Sequence, residues 1–201
     1  MEPKLSNTRA LRIVAAAKDE FAGRGFEGAR VERIIRRAGV NKQLLFYYFH
    51  SKRGLFQAVL RSAVAELEGA LAGLPASQGE PLARIREALA RQFDYLITHP
   101  DLVNLLSHAG RADVAPFAPA IKRLVVLLAA GQGLGQVRDD VDPHVVAAQA
   151  LVLMLGYLRL EALIAASAPS LVADEPALRE RWKRSAVDLV LNGIAAATVR
   201  L

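Results

Sequence analysis

Apolar residues recur at three- and four-residue steps along nearly all of this chain, the spacing that lines one face of an α-helix, so an all-α fold is expected. Between Thr8 and Gly25 the positions Ala10, Ile13, Val14, Ala17 and Phe21 define a first helix, with Ser6, Asn7 or Thr8 as its N-cap and Gly23 and Gly25 as its stop. Val31, Ile34, Ile35 and Ala38 share one face of a second helix. Gly39 follows, and glycine permits the positive φ that a tight turn into a third helix needs. Two short helices held at a fixed angle across a glycine turn have the shape that enters a DNA major groove.

Asn41 is placed to cap the third helix, because its side-chain oxygen can accept a free backbone N–H of the first turn. Advancing about 100° per residue, Leu45, Tyr48 and Phe49 fall on one side, Lys42, Gln43, Phe46 and Tyr47 on the other, and Leu44 on the border. The first group is expected to pack on the first two helices, which turns the second group outward. There, Gln43 suits an adenine edge, Leu44 a thymine methyl, and Lys42 and Tyr47 phosphates or bases. Ser51 is placed to cap a fourth helix, whose first-turn Lys52 points back toward the same DNA backbone and whose amides can help hold a phosphate.

Charge is distributed to match. Residues 1–61 carry 13 Lys and Arg against 5 Asp and Glu, a net of +8, whereas residues 62–201 carry 13 against 15, a net of −2. A phosphate-seeking surface therefore belongs to the first third, although charge alone fits solvated arginine-rich helices as well. The chain has no cysteine, which excludes disulfides, cysteine zinc sites and thiol catalysis. Its polar first residues, MEPKLSNTR, lack an apolar segment for export, and a cytoplasmic location is expected. The most apolar run, Val145 to Leu158, is interrupted by Gln149 and meets Arg159 and Glu161. A membrane span needs about 20 apolar residues, so a buried helix and no membrane partner are expected.

Taken together, these residues resemble the tetracycline-repressor-like (TetR) transcriptional regulators from about Arg9 to Ala70. The resemblance rests on a first helix ending in Gly23-x-Gly25-Phe26-Glu27, then Val31-x-x-Ile34, Ala38-Gly39-Val40, Leu45-x-x-Tyr48-Phe49, Ser51-Lys52 and Leu55-Phe56. It implies a three-helix, helix-turn-helix DNA-binding domain at 8–68, then a larger helical ligand-binding and dimerisation domain at 69–201, about nine helices in all. It further implies a homodimeric repressor, released from a palindromic double-stranded DNA operator by a small apolar or amphipathic effector, with no cofactor. Some positions depart from the pattern. Ala29 and Arg30 stand where Thr or Ser often caps the second helix, and Arg30 offers a charged phosphate contact in place of a hydroxyl. Ile35 replaces a small alanine, and Gln43-Leu44 replaces a small residue followed by Thr, which alters the operator more than the family.

Gly73-Leu74-Pro75 and Ser77-Gln78-Gly79-Glu80-Pro81 form the clearest breaker cluster, and the second region begins there. Later helices are expected at roughly 81–98, 101–110, 116–131, 143–166 and 175–199. The segment from Gly133 to Pro143 also resembles the turn before the eighth helix of such regulators, and its Gly131-x-Gly133-x-Gly135 lacks the spacing of a dinucleotide fingerprint. The helix at 143–166 is apolar nearly all round, so it must bury one face in its own domain and another elsewhere. With the helix at 175–199, which carries Trp182, Ala186, Leu189, Val190, Gly193 and Ala197, it is expected to form a four-helix bundle with a second copy.

Tyr95, His99, Asn104, His108, Phe117, Gln149 and Tyr157 are candidates to line an effector pocket between the fifth and eighth helices, although each also reads as a core, cap or surface residue. His99-Pro100-Asp101 reads first as the end of one helix and the cap of the next. The histidines at 50, 99, 108 and 144 have no paired ligand spacing, so no metal is expected. No GxSxG elbow or phosphate loop is present, and Glu66 and Glu68 point to different sides of a helix, so no catalytic residues are expected. An all-helical protein-interaction module remains as an alternative; it explains the apolar eighth helix but not the basic, aromatic third.

Overall fold

The computed structural model describes residues 8–72, 80–110, 118–167 and 175–197, and these are helical nearly throughout. In chain order the helices are α1 (Thr8–Gly28), α2 (Val31–Ala38), α3 (Lys42–Phe49), α4 (Lys52–Ala72), α5 (Pro81–Thr98), α6 (Pro100–His108), α7 (Ala118–Gly133), α8 (Pro143–Ser167) and α9 (Glu175–Ile194). Ser6, Asn7, Phe117 and the breakers at 73–79 lie outside the described residues. The helix expected to run to 199 stops at Ile194. There the backbone leaves the helical pattern to pair Ala196 N–H with the Gln136 carbonyl, and Arg138 N–H with that of Ile194, both at 2.9 Å. The glycines before this pairing serve packing: Gly131 is buried against Val137, and Gly135 turns the chain at φ 68°.

The helices form two compact units, residues 1–69 with 99–118, and residues 70–98 with 119–201. In the first unit α1 is the central element, packing on α2, α3 and α6. Its periodic face is the buried one: Ala10, Ile13, Val14, Ala17 and Phe21 are all in the core. Near its end Gly25 leaves helical geometry at φ 66°, ψ 177°, and Phe26 then reaches Phe56 of α4, with Phe21 completing the cluster at ring separations of 4.9–6.2 Å. Lys18 ties α1 to Glu66 of α4 at 2.8 Å and to Asp101 of α6 at 2.7 Å.

Partial burial alone would lower the Lys18 pKa, but hydrogen bonds and charge from Asp101 and Glu66 outweigh it and raise the group above its ordinary 10.5. Burial would likewise raise Asp101, yet Lys18 and the first backbone amides of α6 hold it below its ordinary 3.8. Asp101 is not the cap that the sequence suggests. Helix α6 begins one residue earlier, with Pro100 in its first turn and His99 in the capping position without a side-chain cap.

In the second unit α5, α8 and α9 pack on one another. Phe93, Tyr157 and Trp182 bring one ring from each, with Tyr157 stacked on Trp182 at 4.7 Å and tilted on Phe93 at 5.9 Å. Helix α8 buries Val146, Ala147, Ala150, Met154 and Tyr157, while Val145, Val152, Leu160 and Leu163 remain exposed, Val152 by 69%. Over Pro143–Ile164 it is long and apolar enough to cross a membrane by length and composition, beyond the shorter run that sequence singles out. Only 28% of its most apolar stretch is buried, on the side packed against α5 and α9, so the helix is not the fully buried one that the sequence suggests.

Candidate nucleic-acid interface

The start of α2 shows how the chain compensates for a missing cap. Arg30 occupies the N-cap position in extended geometry without a side-chain cap bond, and Ala29 beside it is buried. Glu20 of α1 ties this end down from outside, accepting the backbone N–H of the cap residue Arg30 at 3.1 Å and the Arg33 guanidinium at 3.3 Å. At the other end Gly39 adopts the left-handed region (φ 63°, ψ 42°), where a side chain is disfavoured. Val40 N–H then reaches back to the Ile35 carbonyl at 3.1 Å, and Gly39 N–H to that of Arg36 at 3.3 Å, the six-to-one return that closes a helix at glycine.

Helix α3 starts as its sequence demands. Asn41 is extended, and its Oδ1 accepts the Leu44 N–H at 2.8 Å. Leu45 and Phe49 are buried, while Tyr48 is half-buried between the rings of Tyr47 and Phe49. On the other side Lys42 and Gln43 are exposed, Tyr47 is 74% exposed, and Leu44 and Phe46 are half-buried. Lys42 lies 3.6 Å from Glu32 of α2 and 6.0 Å from the Phe46 ring centroid. The outward face thus offers an ammonium, an amide and a phenol within two turns of a capped helix N-terminus.

The end of α3 is tight. His50 takes a positive φ of 62°, uncommon for a residue with a side chain. Ser51 then caps α4, its Oγ accepting the Gly54 N–H at 2.9 Å. A Cβ at Gly54 would overlap the Phe49 carbonyl, so only glycine fits this approach. Lys52 turns inward in part: its Nζ donates to the Glu27 carbonyl at 3.2 Å and lies 4.8 Å from the Phe26 ring centroid. That leaves two further N–H donors on the ammonium.

The effector candidates are divided between the units. Tyr157 is buried, its hydroxyl 3.2 Å from Glu161, and shares the second unit with half-buried Tyr95 and exposed Gln149. His99, Asn104 and exposed His108 belong to the first unit, the His108 ring lying against Gly25. Among the described residues no group of three or more His, Cys, Asp and Glu is placed to hold a metal ion. Two contributors went unseen in the sequence, Arg12, which donates to the Ala38 carbonyl, and Glu20. Their partners stand 26 and 10 positions away, so no local spacing points to them.

A glycine-turned helix pair with an outward polar and aromatic face, set among described residues that are helical nearly throughout, has the form of a helix-turn-helix DNA-binding domain. The model of bacterial regulatory proteins of the tetR family matches residues 13–59. The chain is 34% identical over 139 residues to the HTH-type transcriptional repressor NicS of Pseudomonas putida, covering 64% of this chain and 66% of that protein. It is 40% identical over 95 residues to the HTH-type transcriptional regulator RutR of Escherichia coli, covering 46% and 43%. The matched stretches therefore span less than two thirds of these relatives' own lengths. A crystal structure of the Streptomyces coelicolor protein SCO4942 superposes with a TM-score of 0.71 at 29% identity, covering 92% of this chain and 97% of that one. Residues 13–59 thus carry the DNA-binding domain of the TetR family, and the relatives named here are transcriptional regulators rather than enzymes.

Proposed function

We propose that the chain is a cytoplasmic, homodimeric repressor that binds a palindromic operator through residues 8–68 and is released by a small effector held by residues 69–201. The observation that carries DNA recognition is the exposed α3 face of Lys42, Gln43 and Tyr47 beside the Asn41 cap. Gln43 and Leu44 read base edges, while Arg30, Lys42, Phe46, Tyr47 and Lys52 meet the backbone or the groove wall. Asn41 fixes the start of the helix that presents them. The repressor sense is drawn from the name of the NicS relative.

Pairing of two copies is supported by the exposed apolar row Val145, Val152 and Leu163 on α8, with Leu189 exposed on α9. Gln149 lies on this outward side, which suits the dimer face better than a pocket. Effector binding is supported by the aromatic cluster of Phe93, Tyr157 and Trp182, where the buried indole Nε1 has no hydrogen-bond partner. An unpaired buried donor favours a ligand bearing an acceptor. Tyr157 belongs to this cluster and Tyr95 is two residues from Phe93, whereas His99, Asn104, His108 and Phe117 are candidates farther along the sequence.

The decisive experiment is selection of bound duplexes from a random pool. The expected result is a palindromic motif whose half-sites lie about 10 base pairs, or a multiple of that, apart. A protein that enriches no motif at low salt is not a sequence-specific regulator.

A further inference from the structure

We infer that Arg12 is a positioning residue for DNA recognition, clamping the last carbonyl of α2 from α1 and so fixing the direction in which α3 leaves the turn. The inference rests on the DNA-binding reading above. Arg12 Nη2 lies 2.6 Å from the Ala38 carbonyl oxygen. That oxygen is among the last four carbonyls of α2, which an isolated helix leaves without internal partners. It also stands at the negative end of the helix dipole, where a guanidinium is favoured.

The neighbouring groups make the placement specific. The Ile35 and Arg36 carbonyls are already taken by the Val40 and Gly39 amides, so Arg12 adds the Ala38 carbonyl to those held at this terminus. Ala38 immediately precedes Gly39, whose left-handed geometry redirects the chain toward α3. The same Nη2 is 2.8 Å from where a Cβ on residue 39 would stand, so the guanidinium lies close over the glycine. On α1, Ala10 and Ile13 are fully buried, which anchors the backbone from which Arg12 reaches. A charge-assisted bond from an anchored helix restrains the pivot from outside α2 and α3, in addition to the return bonds within the turn.

The test compares wild type, Arg12→Met and Arg12→Lys on the enriched operator and on an unrelated duplex of equal length, across salt concentrations, with amide exchange measured at Gly39 and Val40. Arg12→Met is expected to lose about tenfold in operator affinity. It should lose less than about twofold on the unrelated duplex, with its salt slope unchanged. Exchange at both amides should quicken, and Arg12→Lys should recover part of each effect. Equal losses on both duplexes with a slope lower by about one would make Arg12 a phosphate contact and overturn the inference. Unchanged operator affinity would do the same. A wild type that enriches no duplex overturns the DNA-binding reading itself; the clamp is then judged on exchange, and unchanged rates at Gly39 and Val40 overturn it.

Discussion

Gln43 and Lys52 carry the same expectation of DNA contact in the sequence but stand in different surroundings. Gln43 is exposed on α3 in the first turn after the cap, whereas Lys52 is half-buried and bonded to the Glu27 carbonyl. Replacing Gln43 by Ala should change preference by roughly 1–3 kcal/mol at one base position per half-site, measured as the affinity difference between operator variants. Uniform loss across all variants would contradict base reading. Lys52→Ala should weaken binding to every duplex and lower the salt slope by about one. A lower thermal midpoint with an unchanged slope would assign Lys52 to joining α1 and α4 alone. The contrast shows where sequence reasoning reaches its limit. The Asn41 and Ser51 caps were legible because donor and acceptor are three residues apart. The Lys52–Glu27 and Arg12–Ala38 bonds span 25 and 26 positions, and only tertiary packing brings them together.

Helices α2 and α3 have eight residues each, too short to persist alone in water, where about 12–15 residues are marginal. Their geometry is therefore a property of α1, which supplies the packing face, the Glu20 carboxylate and the Arg12 clamp. The periodicity that placed α1 could not reveal that α6 packs on it too, because an apolar stripe does not name its partner. Asp101 in the first turn of α6 and Lys18 of α1 provide a test of that pairing. Asp101 has a folded pKa below its ordinary 3.8, so its contribution is complete above that value and is lost as pH falls through the lower, folded value. Lys18 is raised above 10.5, so its contribution is complete below that value and is lost as pH climbs through the higher one. Both side chains keep partial solvent access, 19% for Lys18 and 31% for Asp101, and screening limits the pair to about 1 kcal/mol. Thermal unfolding should therefore find Asp101→Asn less stable than wild type by a constant amount from about pH 5 to about 9, the gap closing in stronger acid. A gap that persists undiminished in strong acid would mean that the substitution acts through something other than the ion pair.

At the scale of the molecule, the question is what covers α8. Its buried side explains how it belongs to its unit, but Val145, Val152, Leu160 and Leu163 are half or more exposed, and Leu189 of α9 is 65% exposed. Burying one such side chain contributes about 1.5–3 kcal/mol, so leaving several in water is a cost that a second copy would remove. A twofold pair also answers the functional problem. One recognition helix reads only a few base pairs, whereas two, held about 34 Å apart, read successive major grooves of a palindrome. The length and apolarity of this helix were legible from the sequence, but which of its residues face the core required the fold. Val152 and Leu163 can therefore be charged with little harm to the protomer. Val152→Glu combined with Leu163→Glu should keep the helical circular dichroism of wild type yet sediment as a monomer at micromolar concentration. The same variant should lose the affinity advantage of a full palindrome over a single half-site, with the α3 contacts untouched. A double variant that still sediments as a dimer and still prefers the palindrome would place the pairing surface elsewhere than on the exposed row of α8.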